Sequence, residues 1–257
     1  MRNLALATAL VFLAAGRIAG AADLPVKAPV LNAAPVPYSW TGCFVGAAAG
    51  GGFGRTEHIS GTAPTIGQSI TNPFDVSGGV AGLTYGCNWQ TGSWVLGTEG
   101  DFSWTDVRGS VNNTQPFIRS VISSTNEHWL STTRLRVGYL PSGQLLVYAT
   151  GGLATASVEA VADATATGAG IISETRTRWG WTAGGGLEYA LGGGWSAKAD
   201  YLYVRLSSQG YFNPPPAGFN SRLDVPFDEH IVRLGVNYKF TDCVLFVFCG
   251  GPVVAKY

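Results

Sequence analysis

The sequence predicts an all-β fold, an eight-stranded antiparallel up-and-down transmembrane β-barrel, and three observations predict it. Apolar and polar residues alternate with a period of two along eight segments. The connections between those segments alternate between short and long. The chain of 257 residues holds 36 Gly and only 12% charged residues, where soluble domains carry about 25% charge. That leaves too few ionic groups to cover an ordinary water-facing surface, while 46% hydrophobic residues exclude disorder. The 16 basic and 16 acidic residues cancel, so no global field draws nucleic acid.

The elements follow in chain order. Residues 1–21 read as a secretory signal: Arg2 is followed by an apolar stretch over 4–15, then by Ala19-Gly20-Ala21 at the cleavage positions. That stretch falls short of the roughly 20 apolar residues a membrane helix needs, and no later segment supplies them. No Cys follows the expected cut, so a lipid-anchored N-terminus is not expected. Residues 22–39, rich in Pro and Ala, are expected to be an extended periplasmic segment. Export without membrane helices leaves a secreted β protein or a barrel that faces lipid.

The expected barrel covers 40–240, with strands at about 40–54, 77–90, 93–107, 126–140, 144–159, 174–191, 194–208 and 227–240. Tight turns fall at Gln90-Thr91-Gly92-Ser93, Pro141-Ser142-Gly143 and Gly192-Gly193-Gly194, which carry the residues short hairpins require. The long polar connections are about 55–76, 108–125, 160–173 and 209–226. Short turns at one rim and long loops at the other suit an outer-membrane barrel of a Gram-negative bacterium.

Alternation separates two faces. Trp94, Leu96, Phe102 and Trp104 oppose Glu99 and Asp101; Trp129, Leu135, Val137 and Tyr139 oppose His128, Arg134 and Arg136. Trp179, Trp181, Leu187 and Tyr189 oppose Arg178 and Glu188, and Trp195, Tyr201 and Tyr203 oppose Lys198 and Asp200. In the last strand Val232, Leu234, Val236 and Tyr238 oppose Arg233, Asn237 and Lys239. Trp and Tyr near the strand ends of the apolar face match the aromatic girdles of membrane barrels. A secreted sandwich with an aromatic core is the alternative. Leu145, Leu146, Val147 and Tyr148 are apolar on both faces, so the register of that strand stays open.

Ala22-Asp23-Leu24-Pro25, Trp40-Thr41-Gly42-Cys43-Phe44-Val45-Gly46, Trp94-Val95-Leu96-Gly97-Thr98-Glu99-Gly100-Asp101-Phe102 and Gly235-Val236-Asn237-Tyr238-Lys239-Phe240 stand together in this chain. In combination they resemble the small opacity-type, or outer membrane immunogenic, protein family of alphaproteobacteria. The resemblance implies an eight-stranded barrel, loosely described as a porin, with antigenic surface loops and no single fixed activity. Family members often stop at the aromatic residue that the barrel-assembly machinery reads, here Phe240. This chain continues through a Cys-containing extension, 241–257, so either Phe240 acts internally or Tyr257 serves the same purpose.

Export makes disulfides the default for Cys43, Cys87, Cys243 and Cys249, and four cysteines allow three pairings. Cys43 and Cys87 sit at adjacent ends of neighbouring antiparallel strands, which favours 43–87 with 243–249. Zinc is rejected, since neither paired spacing nor nearby His is present, and no metal or cofactor is expected.

The candidate lumen charge network is Glu99, Asp101, Glu188 and Asp200 with Arg134, Arg136, Arg178, Lys198, Arg233 and Lys239. An eight-stranded barrel is just wide enough for side chains to fill. The network therefore reads as a plug, with a narrow, weakly anion-preferring water path as the alternative. Catalysis is weakly signalled: His58 and Ser60 share the first long loop, which keeps a lipid-modifying enzyme as the less favoured alternative, but they lack an orienting acid. His128 and His230 read as rim or lumen residues. The long loops, with Asn112, Phe117, Ile118, Tyr211, Phe212 and Phe219, are the expected working surface. Outer-membrane lipid and lipopolysaccharide are the expected partners, the surface ligand staying unknown. A haem role needs His or Tyr in those loops, and Tyr211 is the candidate there.

Overall fold

Eight long antiparallel strands pair in chain order, and the last closes on the first. The computed structural model describes residues 38–114, 117–213 and 222–240. The strands are β1 (Gly42–Thr56), β3 (Phe74–Thr91), β4 (Trp94–Asn112), β5 (Ile122–Ser142), β6 (Leu145–Ala164), β7 (Gly170–Gly192), β8 (Trp195–Tyr211) and β9 (Leu223–Phe240). A two-residue strand, β2 (Ile59–Ser60), folds loop one back against β9. Ladders join β1 to both β3 and β9, from Cys43↔Phe240 to Thr56↔Phe227 on the closing seam. Closure leaves no unpaired edge, as lipid requires. Among the described residues no helix is long and apolar enough to cross a membrane. The expected signal at 1–21, most of the 22–39 segment and the extension at 241–257 lie outside the described residues.

The wall's two faces follow the expected phase. Leu96, Leu135, Leu187 and Leu234 stand exposed on the outer side, Leu234 at 69%. Aromatic pairs bound this band at both ends. Trp94 meets Tyr139 (5.3 Å) and Trp195 meets Tyr238 (5.0 Å) at the turn side. At the loop side Phe102 meets Trp104 (5.2 Å) and Trp129 (5.8 Å), and Trp181 meets Tyr203 (5.4 Å). The register of β6 is settled: Leu146 and Tyr148 point inward and Val147 outward.

The hairpins at the turn side are short, as expected. Gly192, Gly193 and Gly194 all adopt positive φ (94°, 60° and 86°), which residues with a side chain rarely reach. The loops on the other rim are shorter than expected, because the strands run on past the lipid band. The connection expected over 160–173 contracts to a single 3-10 turn, Thr165–Thr167, with flanking residues. There residues 160–164 of β6 and 170–174 of β7, which hold Asp163, Ser173 and Glu174 among small and apolar residues, continue the ladder, so the alternation that marks a lipid-facing strand fades while the pairing does not.

Register shifts at Trp104/Val107, Glu127/Trp129 and Leu206/Gln209 all fall near the loop-side girdle, the rim position where barrels commonly place bulges. The shift in β5 corrects one expectation. His128 is the extra residue, so it is exposed instead of sharing the inner face with Arg134 and Arg136. Its Nε2 lies 3.4 Å from Glu159. Beyond that bulge the inner phase of β5 changes from even to odd numbers.

Candidate functional site: the filled lumen and the loop cap

The barrel interior is layered. At the turn-side mouth Trp40 packs on Val95, Leu140, Leu146, Tyr148 and Ala190. Its backbone N–H donates to Gln90 Oε1 (2.8 Å) and its indole N–H to the Gly143 carbonyl (3.2 Å). A tryptophan held by both its backbone amide and its indole N–H is a rigid stopper.

Above it lies an ionic layer built from β4, β5, β7, β8 and β9. Glu99 accepts from Arg134 (3.1 Å), Arg136 (3.3 Å) and Lys198 (2.5 Å). Arg136 also donates to Glu188 (2.6 Å), and its guanidinium lies 4.1 Å from the Tyr148 ring centroid. Glu188 accepts further bonds from Ser196 (2.6 Å) and Asn237 (2.8 Å). Arg233 grips Asp200 through two bonds of 3.0 Å, and Lys198 lies 3.5 Å from the same carboxylate. Asp101 accepts from Thr132 (2.7 Å) and stands 2.8 Å from Arg134 Nη2. Arg233 Nη1 is 3.3 Å from Asp101 Oδ1, near enough for attraction but off the line of a hydrogen bond.

Every one of these eight side chains is buried. The grouping holds Glu99, Asp101, Glu188 and Asp200 against Arg134, Arg136, Lys198 and Arg233, so its formal charge cancels. Glycine makes the room. A Cβ on Gly46 would come within 2.1 Å of Asn237 Oδ1.

Two expected members stand elsewhere. Arg178 is buried but donates to the Ser207 and Val225 carbonyls at 2.5–2.9 Å, at the β8 bulge. Lys239 lies at the turn-side mouth, its Nζ donating to the Ser39 carbonyl and lying 4.4 Å from the Tyr38 ring centroid. Both sit on inward-phase positions; height along the strand, which period two does not encode, separates them from the layer. Without them the layer holds as many acidic as basic groups, not the expected excess of basic ones.

Over the ionic layer the interior turns apolar, with Val76, Val107, Leu130, Val158, Leu202, Phe227 and Ile231 packed across the bore. Two acids that sequence reasoning missed, Glu127 and Glu229, are buried here side by side, without a hydrogen-bond partner for their carboxyl oxygens among the described residues. Glu229 shares the odd phase of Arg233, so period two alone places it inside. Glu127 is reached only through the β5 bulge.

The loops close the far end. Ile70, Tyr211, Phe212, Leu223 and Val225 form a small core under partly buried Phe117. Tyr211 donates to the Val158 carbonyl (3.0 Å) and is fully buried, so it is no surface ligand for haem. His58 is 0% exposed, with Nε2 2.9 Å from Thr125 Oγ1, and burial pushes its pKa down to about 4. Ser60 Oγ lies 2.8 Å from Thr65 Oγ1. His58 and Ser60 are thus committed to different partners inside the cap. Of the other loop residues named above, Phe219 lies outside the described residues, while Ile118 is exposed.

Cys43 and Cys87 face each other in register on β1 and β3 and form a disulfide. Cys243 and Cys249 lie outside the described residues. Among the described residues no group of His, Cys, Asp and Glu is arranged to hold a metal.

Comparison with known proteins agrees with this architecture. The chain is 35% identical over 227 residues to the 31 kDa outer-membrane immunogenic protein of Brucella melitensis, covering 86% of this chain and 92% of the relative. It is 31% identical over 208 residues to a 22 kDa outer membrane protein of Rhizobium leguminosarum, covering 79% of each. Among solved structures, the outer membrane protein OprG of Pseudomonas aeruginosa aligns with a TM-score of 0.52 at 16% identity. That alignment covers 80% of this chain and 99% of OprG, a likeness of fold. The family described as the outer membrane protein beta-barrel domain matches residues 6–240. An outer-membrane protein with alphaproteobacterial immunogenic relatives, this chain belongs to that β-barrel family.

Proposed function

We propose that this barrel is a non-enzymatic, non-conducting component of the outer membrane that stabilises the envelope and presents its loop face as an interaction surface. The observation that carries the reading is the filled bore: an indole stopper, a charge-neutral ionic layer, an apolar layer and a loop core follow one another along the axis. An ion entering such a bore would have to break pairs in a low-dielectric space, which is costly. At the loop face Ile66 and Ile118 are 67% and 60% exposed, apolar positions suited to a partner. His58 and Ser60, bonded to Thr125 and Thr65, do not form a base–nucleophile pair there.

Planar-bilayer recording of the refolded protein is the test. A silent bilayer is the expected result. Discrete, reproducible openings that scale with inserted protein would overturn the sealed-barrel reading in favour of a narrow channel.

A further inference from the structure

The outer wall carries a polar feature that neither lumen nor loops explain. Around β8, β9, β1, β3 and β4, just beyond the loop-side aromatics, outward residues alternate in sign. The register sets Arg205 opposite Asp228, Asp228 opposite Arg55, and Arg55 opposite Asp75. Arg108 with Asp106 continues the belt on β4. The pairs measure 3.5 Å (Arg205–Asp228), 2.9 Å (Arg55–Asp75) and 3.1 Å (Arg108–Asp106). Arg55 and Asp75 are 77% and 78% exposed, and ion pairs so exposed add only about 0–1 kcal/mol to folding. Stability therefore does not account for the belt.

A groove of about 580 Å³ opens in the same stretch of wall, lined by Phe53, Arg55, Asp75, Tyr203, Asp228 and His230. His230 occupies an outward position on β9, in phase with Val232, Leu234 and Val236. Its ring stacks on Phe53 at 5.6 Å, and the Tyr201 hydroxyl lies 2.7 Å from Nδ1, which leaves Nε2 for a ligand.

We propose that this groove seats a phosphorylated glycolipid of the outer leaflet. Arg55 and Arg205 take its phosphate, and Phe53 and Tyr203 take the first part of an acyl chain. Height selects the ligand. Interfacial aromatics mark the edge of the hydrocarbon, and the arginines stand one or two residues farther out, where headgroup phosphates lie. Guanidinium is suited to phosphate by its planar fork of donors. Outer-leaflet phosphates carry divalent counter-ions, so a belt of alternating sign complements that layer, while a belt of one sign would repel half of it. The inference rests on the outer-membrane placement and not on whether the lumen conducts, so the two readings fail separately.

Native mass spectrometry of the folded protein in detergent, titrated with bis-phosphorylated lipid A, tests it. The expected result is a retained one-to-one lipid adduct, at least about tenfold tighter than with the dephosphorylated form. The Arg55→Gln/Arg205→Gln protein should lose it, while Arg176→Gln, at the top of β7, should keep it. Equal binding of dephosphorylated lipid or of phosphatidylglycerol would overturn the proposal. So would an adduct untouched by the double substitution, or a protein dimer, free of lipid, that the same substitutions disrupt. Heat-modifiable gel migration reports whether the double variant folds; if it does not, the phosphorylated and dephosphorylated lipids on the unaltered chain decide.

Discussion

At the scale of single residues, the interior is governed by what a charge needs when water is removed. Glu99 is the clearest case, a carboxylate that accepts from Arg134, Arg136 and Lys198 in a buried layer. Its removal strands cations that have no water to turn to, so Glu99→Ala should cost about 3–5 kcal/mol. Arg108→Ala, whose partner Asp106 is 69% exposed, should cost no more than about 1 kcal/mol. Urea unfolding in lipid vesicles, read by gel migration, measures both. Similar losses for the two substitutions would mean that the inner pairs are not desolvated. The inner charges on strands 93–107 and 194–208 were legible as residues because they alternate with Trp and Leu. Their partners were not, because pairing depends on strand stagger and on height along the axis, as the displaced Arg178 and Lys239 illustrate.

At the scale of elements, each strand's existence followed from its period and each strand's end did not. The alternation of greasy and polar residues stops where lipid stops, but hydrogen bonding continues into water. Hence β5 begins at Ile122 instead of about 126, and β6 continues to Ala164 instead of about 159. Bulges were equally hidden, since the extra residue in β5, His128, looks like any polar position. The cap segment between β1 and β3 yields a pH prediction. His58 titrates near 6.5 when exposed and at about 4 when buried here. The open form therefore binds the proton first, and the closed cap is favoured fully only above about pH 6.5. Its stability falls as pH drops from there toward 4, by about 3 kcal/mol in all. Hydrogen exchange at the Ser60 and Ile70 amides, bonded to Gln68 and His58 carbonyls, reports the opening. Once corrected for intrinsic rates, protection should decline across that window and stay flat in His58→Asn. Protection independent of pH in the unaltered chain would contradict the assignment.

At the scale of the whole molecule, the chain resolves two demands with one alternating pattern. Lipid accepts the outward leucines and valines with interfacial aromatics at either edge, and closure of β9 on β1 leaves every strand paired. The narrow interior is then filled with packed side chains, which is the basis for proposing a scaffold and not a pore. Low charge, abundant glycine and alternating connection lengths make the barrel legible in the sequence. The layering of the lumen is not, because it arises from eight strands meeting at one height. The central claim is the sidedness of the wall, and tryptophan quenching by brominated lipid tests it most directly. Folded single-tryptophan proteins retaining either Trp104, 60% exposed on the outer wall, or Trp40, 2% exposed in the mouth, would be placed in vesicles of such lipid. Strong quenching of Trp104 with little effect on Trp40 is the predicted result. Protection of Trp104 from the bromine atoms, with Trp40 quenched, would contradict the account.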